Sequence, residues 1–293
     1  MPDFGRFLAG FGRAWSRRGT GLALTRHERR EQRICSRKRL VFRRSGGLPM
    51  TQPAFLVGFA AEARVARLSG WRVGIGGGTT AGAADTARRL IDAGATGIVS
   101  FGLAGGLDPA LPPGTLIVPK AVAADSRVWL TDPELSARLG GSTGHVCLGW
   151  HRAVACPMEK RRLCEETGAV AVDMESGAVA AVAAEAGIPF AVLRAICDPA
   201  DRAVPPAALV ALNAAGGLAA GRMAMSILAK PGQVGALLKL ARDAATARRA
   251  LRERAVDMAP NGWQPAERLF HGGMPRGMQG ALLDAGLVTG GIL

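Results

Sequence analysis

The chain has 293 residues, with 37 Lys and Arg against 23 Asp and Glu, 48% hydrophobic residues and no tyrosine. A net charge of +14 ordinarily raises nucleic acid or an anionic membrane as a partner. Residues 1–49, however, carry 13 of the basic and 3 of the acidic residues, which leaves the rest almost balanced and removes most of the case for a basic nucleic-acid binder.

Residues 1–49 show no sustained period. Three readings fit this segment, in descending order: an over-extended start or disordered extension, a membrane-surface arm, and a targeting peptide. As an arm it would place Phe4, Phe7, Leu8, Phe11 and Trp15 on an apolar side. Folding information begins at Met50, and a catalytic domain is expected over residues 50–258. "AFLVGF" reads as a buried strand and "WRVGIGG" as a second, followed by a helix over "TTAGAADTARRLIDAG" that ends at Gly94. "GIVSFGLAGGL" is a third strand running into a glycine turn. "GTLIVPKAVAAD" is another, in which Pro119 disfavours a regular central position.

"EKRRLCEETG" is a helix, "AVAVDM" a strand, "ESGAVAAVAAEAG" an Ala-rich helix and "IPFAVLRAICD" a long buried strand ending on an acid. A last helix covers "ALLKLARDAATARRALRERAVDM". Residues 259–293, rich in Gly and Pro, read as a poorly ordered tail with one short helix near Gln279–Ala285. The alternation of strands and helices predicts an α/β fold. Five cysteines, an odd number without a C-x-x-C pair, read as reduced thiols in a cytoplasmic protein. The four histidines are scattered without ligand spacing, so no metal site is expected, and no other cofactor is expected either.

Three stations carry the candidate chemistry, all at strand ends, where such sheets place their sites. Gly74, Gly76, Gly77 and Gly78 precede a helix and fit either an anion cradle or a tight strand–helix turn. The dinucleotide pattern is incomplete, because Thr79 stands where its last glycine belongs. "SFGLAGGL" (100–107) sets Gly102, Gly105 and Gly106 about Leu103 and Ala104, again as a ligand cradle or a turn. At the third station "VDMESGAV" places Asp173, Met174 and Glu175 at a strand-to-helix junction, and "RAICDPAD" places Arg194, Cys197, Asp198 and Asp201 at the next strand end. Glu175 and Asp198 can be read as a helix-start acid and a helix cap. Charges that follow apolar strands are otherwise costly unless paired or bound to something.

In this order the motifs resemble the purine nucleoside phosphorylase/nucleosidase family, and most of all its methylthioadenosine/S-adenosylhomocysteine nucleosidases. "VGFAAEARVARLSG", "VSFGLAGGLDPALPPGTLIVPKAV" and "PFAVLRAICDPADRAVPPAAL" are similar to the hopanoid-associated phosphorylase-like proteins, implicated in removing adenine from adenosylhopane. The resemblance spans about Phe55 to Arg254. It implies a single three-layer αβα domain around a mixed central β-sheet. It also implies a homodimer and a nucleoside or nucleosyl-lipid substrate, with peripheral membrane contact for the latter.

By the same resemblance, Asp198 protonates or hydrogen-bonds purine N7 and Glu175 holds the ribose hydroxyls, with Met174 packed on the sugar. Glu62 orients or deprotonates the attacking water, and Arg194 stands near that water. Gly102, Ala104, Gly105 and Cys197 border the substrate. Cys197 replaces the usual Ser, and Leu103 takes a position where a hydroxyl is common. Trp150 and Phe101 are the candidates for stacking on adenine. Ser100 stands where phosphorolytic members carry an Arg, so hydrolysis is preferred over phosphorolysis. The rivals are a Rossmann-like NAD(P) protein, which lacks its third glycine, and a nucleoside-binding module without chemistry.

Overall fold

A computed structural model of the chain describes residues 52–211 and 220–259. The basic extension over 1–49, the helix expected near 279–285 and nearly all of the tail lie outside these residues. The first predicted strand forms as β1 (Ala54–Val57), every residue of it buried. It leads through Phe59 into α1 (Ala60–Ala66), a helix the periodicity did not reveal because it spans only two turns. Next come β2 (Arg72–Ile75), α2 (Thr80–Asp92) and β3 (Ile98–Gly106). Thr79 caps α2 by accepting the Gly82 N–H at 3.1 Å.

The stretch read as one strand about Pro119 divides in two, β4 (Leu116–Ile117) and β5 (Ala121–Ala124). The proline lacks the N–H that a continuous ladder would need. A hairpin that was not anticipated joins β5 to β6 (Arg127–Leu130). Its two loop residues, Asp125 and Ser126, both have positive φ (47° and 61°), the geometry of a type I′ turn, but lack the glycine that usually announces one.

Two further elements, α3 (Pro133–Arg138) and β7 (Val146–Gly149), were also unread. Then follow α4 (Pro157–Thr167), β8 (Ala171–Asp173), α5 (Ser176–Ala186) and β9 (Phe190–Asp198), close to expectation. The chain continues through α6 (Pro206–Ala211) and α7 (Ala220–Ala229) to α8 (Val234–Asp257).

The strands form one mixed sheet in the order β2-β1-β3-β8-β7-β5-β6, with β9 paired to β3 and β4. Its terminal strands β2 and β6 are half exposed, whereas β1, β3 and β9 are buried almost throughout. Alternation along the central strands sorts side chains onto two faces. Phe55, Val57, Val99, Phe101 and Leu193 meet Ala247, Leu251 and Ala255 of α8, a stripe at four-residue spacing. Leu56 and Ile98 on the other face meet Ala83 and Ala87 of α2 and Val179 and Val182 of α5. Helix, sheet and helix therefore make three layers. Among the described residues no helix is long and apolar enough to cross a membrane.

Candidate active site

The site grows from the pairing of β3 with β9. These strands run parallel in register from Ile98 opposite Phe190 to Ala104 opposite Ile196, and there the register jumps. Cys197 is the extra residue of this bulge, so Asp198 stands opposite Gly105 in its place. A bulge re-aims the side chains that follow it. Here it brings the terminal carboxylate of β9 beside the glycine loop.

Glu62 is held from three directions. It is the third residue of α1, and its Oε2 turns back to accept the Gly58 and Phe59 N–H groups at 3.0 and 2.9 Å. Oε1 accepts the Leu103 N–H at 2.8 Å, which ties α1 to the glycine loop. This arrangement requires glycine at 102, since a Cβ there would lie 2.4 Å from Glu62 Oε1 and 2.9 Å from Arg194 Nη1. Burial raises the pKa of Glu62, opposed by Arg194 and the three backbone N–H groups.

Arg194, 1% exposed, organises the neighbouring acids. Its Nη2 donates to Ser100 Oγ at 2.6 Å, Glu175 Oε2 at 3.1 Å and Ser176 Oγ at 3.2 Å, and Nη1 reaches the Leu103 carbonyl at 3.3 Å. Nε lies 2.8 Å from Asp173 Oδ2, an ionic contact in which the N–H is not aligned on the oxygen. Asp173 Oδ1 in turn accepts the Glu175 and Ser176 N–H groups at 3.0 and 2.7 Å, capping the start of α5. Burial works against the charge on Arg194, but Asp173, Glu175 and Glu62 outweigh it and lift its pKa above the ordinary value.

Glu175 is pushed up to about 7, first by burial and then by Asp173 and Glu62, with Arg194 opposing. Glu175 and Glu62 converge over Gly58, where a Cβ would lie 2.7 Å from Glu175 Oε1 and 3.2 Å from Glu62 Oε2.

Glu62, Glu175 and Asp198 all border one cavity of 380 Å³, together with Met174, Cys197, Ala104 and Gly105. Gly102 and Arg194 are not part of its wall; they stand behind Glu62 and Glu175. Burial raises the pKa of Asp198, with Lys160 the main opposing influence. Cys197 is pushed up to about 12, by burial first and by Asp198 and Glu62 next, which keeps it a neutral thiol and a poor nucleophile. Asp201 is exposed and away from the cavity wall.

Neither stacking candidate reaches this cavity. Phe101 is buried in the core with its ring 4.9 Å from that of Phe55, and Trp150 borders a separate surface hollow beside His151. Phe59 is the aromatic residue in the wall, placed there by the strand-to-helix turn that also sets Glu62. The first glycine station is a packed strand–helix turn in this fold. The Gly76 N–H donates to the Val57 carbonyl at 2.8 Å, and a Cβ at Gly82 would meet the Gly76 oxygen at 1.9 Å.

Sequence reasoning also missed three cations. Arg152 and Arg248 border the cavity, the first paired to Glu159. Lys160, fully buried on α4, donates to Asp198 Oδ2 at 2.7 Å. A lysine in a charged helical stretch reads as a solvated residue, and only the fold shows otherwise.

A model of the phosphorylase superfamily matches residues 65–146 and 142–224, beginning just after Glu62. Comparison with curated proteins finds no match. Among solved structures, the 5′-methylthioadenosine/S-adenosylhomocysteine nucleosidase of Helicobacter pylori is similar at 18% identity, with TM-score 0.52 over 72% of this chain and 100% of that one. Futalosine hydrolase of the same organism is 19% identical, with TM-score 0.51 over 70% and 97% of the two chains. The Neisseria meningitidis 5′-methylthioadenosine/S-adenosylhomocysteine nucleosidase is 16% identical, with TM-score 0.50 over 71% and 99%. At these identities the likeness is one of fold.

Proposed function

The chain belongs to the phosphorylase superfamily, and from that premise we propose that it cleaves the N-glycosidic bond of an adenine nucleoside with water as the nucleophile. The observation that carries the reading is the cavity itself, which gathers Glu62, Glu175 and Asp198 from three separate segments around one space of nucleoside size. In the reaction the bond from C1′ to N9 breaks, and its electron pair leaves with the base. Asp198 delivers a proton to N7, making the leaving group neutral. The positive charge that develops on the ribosyl ring is stabilised by Glu175, which also receives the ribose hydroxyls, while Met174 packs on the sugar. Glu62 takes a proton from water as the oxygen bonds to C1′. Free adenine and a ribosyl product leave.

Water is favoured over phosphate because a dianion would share the cavity with the Glu62 and Glu175 carboxylates. The Arg194 guanidinium, the best phosphate ligand at this end of the sheet, already serves Asp173, Glu175 and two serine hydroxyls out of reach of the cavity. Phosphorolysis keeps one observation in its favour. Arg248 borders the cavity and has no acidic partner among the described residues.

For the substrate we propose adenosine carrying an apolar hopanoid at the 5′ position. The motif resemblance supports this, as does a wall that includes Leu103, Val154, Val172 and Val204. Chromatography of free adenine from adenosylhopane and from 5′-methylthioadenosine, each with and without phosphate, tests both choices. Release that requires phosphate sinks hydrolysis, and release from 5′-methylthioadenosine alone sinks the hopanoid substrate.

A further inference from the structure

Lys160 lies on α4 with no exposed surface. Its ammonium has three protons, and three acceptors meet it: Asp198 Oδ2 at 2.7 Å, the Pro199 carbonyl at 2.8 Å and the Arg202 carbonyl at 3.0 Å. The two carbonyls belong to the turn that leaves β9, so one side chain fixes both the carboxylate and the backbone that carries it. With Oδ2 occupied, Oδ1 is the oxygen left for a ligand; among the described residues no donor reaches it, while Asp198 itself borders the cavity.

We propose that Lys160 is a positioning residue for the acid step, clamping Oδ2 so that Oδ1 carries the proton to the departing base. This role rests on the nucleosidase reading above and deepens it. The ammonium also limits how tightly Asp198 holds its proton, since a cation at 2.7 Å favours the carboxylate that burial disfavours. The other groups facing Asp198 are Arg202 in the following turn, paired to Asp243 of α8, the neutral Cys197 thiol on β9, and Glu62, Glu175 and Arg248 around the cavity. Of these, Lys160 is the one charge that contacts the carboxylate directly.

The test compares two leaving groups in the full-length protein. Adenine in adenosylhopane or 5′-methylthioadenosine, whichever the wild type turns over faster, needs a proton to depart, whereas 4-nitrophenolate in 4-nitrophenyl β-ribofuranoside does not. Lys160→Met is expected to lower kcat for adenine release on the order of 100-fold, within the range of general acid catalysis, and to change nitrophenol release less than about threefold. It also moves the alkaline fall of kcat/KM to higher pH, because Asp198 then keeps its proton longer. Lys160→Arg retains the charge and is expected to keep the limb in place with about a tenfold loss.

Equal losses on both substrates with an unmoved limb, in a variant whose circular dichroism matches the wild type, overturn the role and leave the nucleosidase reading standing. Should Lys160→Met fail to fold, Lys160→Arg decides by the same ratio of the two substrates. A wild-type protein that releases adenine from no nucleoside sinks both.

Discussion

Arg194 and Lys160 are the two cations sealed among the described residues, at 1% and 0% exposure, and both pair with carboxylates at strand ends. Their surroundings differ. Arg194 is enclosed by Asp173, Glu175, two serine hydroxyls and a carbonyl, and its acids cap a helix and shape the cavity wall. Lys160 has a single acid, and that acid faces the cavity. A guanidinium with five fixed donors suits a static scaffold, whereas an ammonium on one carboxylate oxygen leaves the other oxygen open for chemistry. The first cation therefore holds the fold of the site together, and the second governs one proton.

The contrast is broken or sharpened by removing each side. Arg194→Met strands Asp173 and Glu175 in the interior and is expected to cost about 3–5 kcal/mol of stability, read from urea unfolding, with activity lost alongside. Asp198→Asn is expected to lower kcat for adenine release by roughly 10²–10⁴ while costing a smaller stability loss of about 1–3 kcal/mol, since the amide oxygen still accepts from Lys160 but no longer neutralises it. Similar stability losses in both variants would erase the distinction.

Gly102→Ala probes the seam between scaffold and chemistry. Its Cβ would overlap Glu62 Oε1, so a cost of about 1–3 kcal/mol is expected, along with a rate loss of up to about 100-fold from a displaced Glu62. An unchanged rate would show that the placement of Glu62 does not matter.

The smallest effect is on the pH dependence of stability. The folded state raises the pKa of Glu175 from 4.5 to about 7, so it binds that proton more tightly than the unfolded chain does. The corresponding stabilisation is complete below about pH 4.5 and is lost as pH rises through about 7. Melting temperatures of wild type and Glu175→Gln should therefore differ in slope between these values, the wild type falling more steeply. Parallel slopes would mean that Glu175 is ionised in the fold throughout.

Much of this molecule was legible from local pattern. The buried strands β1, β3 and β9 announced themselves as apolar runs, and Glu175 and Asp198 stood out because a charge at the end of such a run needs a partner. Glu62 entered through motif resemblance, and its bonds to the Gly58 and Phe59 N–H groups are local enough to follow from a helix start. The short helix α1 and the hairpin between β5 and β6 escaped notice, one for its length and the other for lack of a turn glycine.

The amino-acid sequence by itself determined the buried strands and main helices around the site, the acids available at strand ends and the separation of the basic segment from them. Tertiary structure alone decided which of those acids share a space. Lys160 meets Asp198 across 38 positions of chain, and Arg194 meets Ser100 across 94. The bulge at Cys197 exists only once β9 pairs with β3. Periodicity records which face of its own element a side chain occupies, but a charge pair is a relation between elements, and that relation is set by how the layers pack.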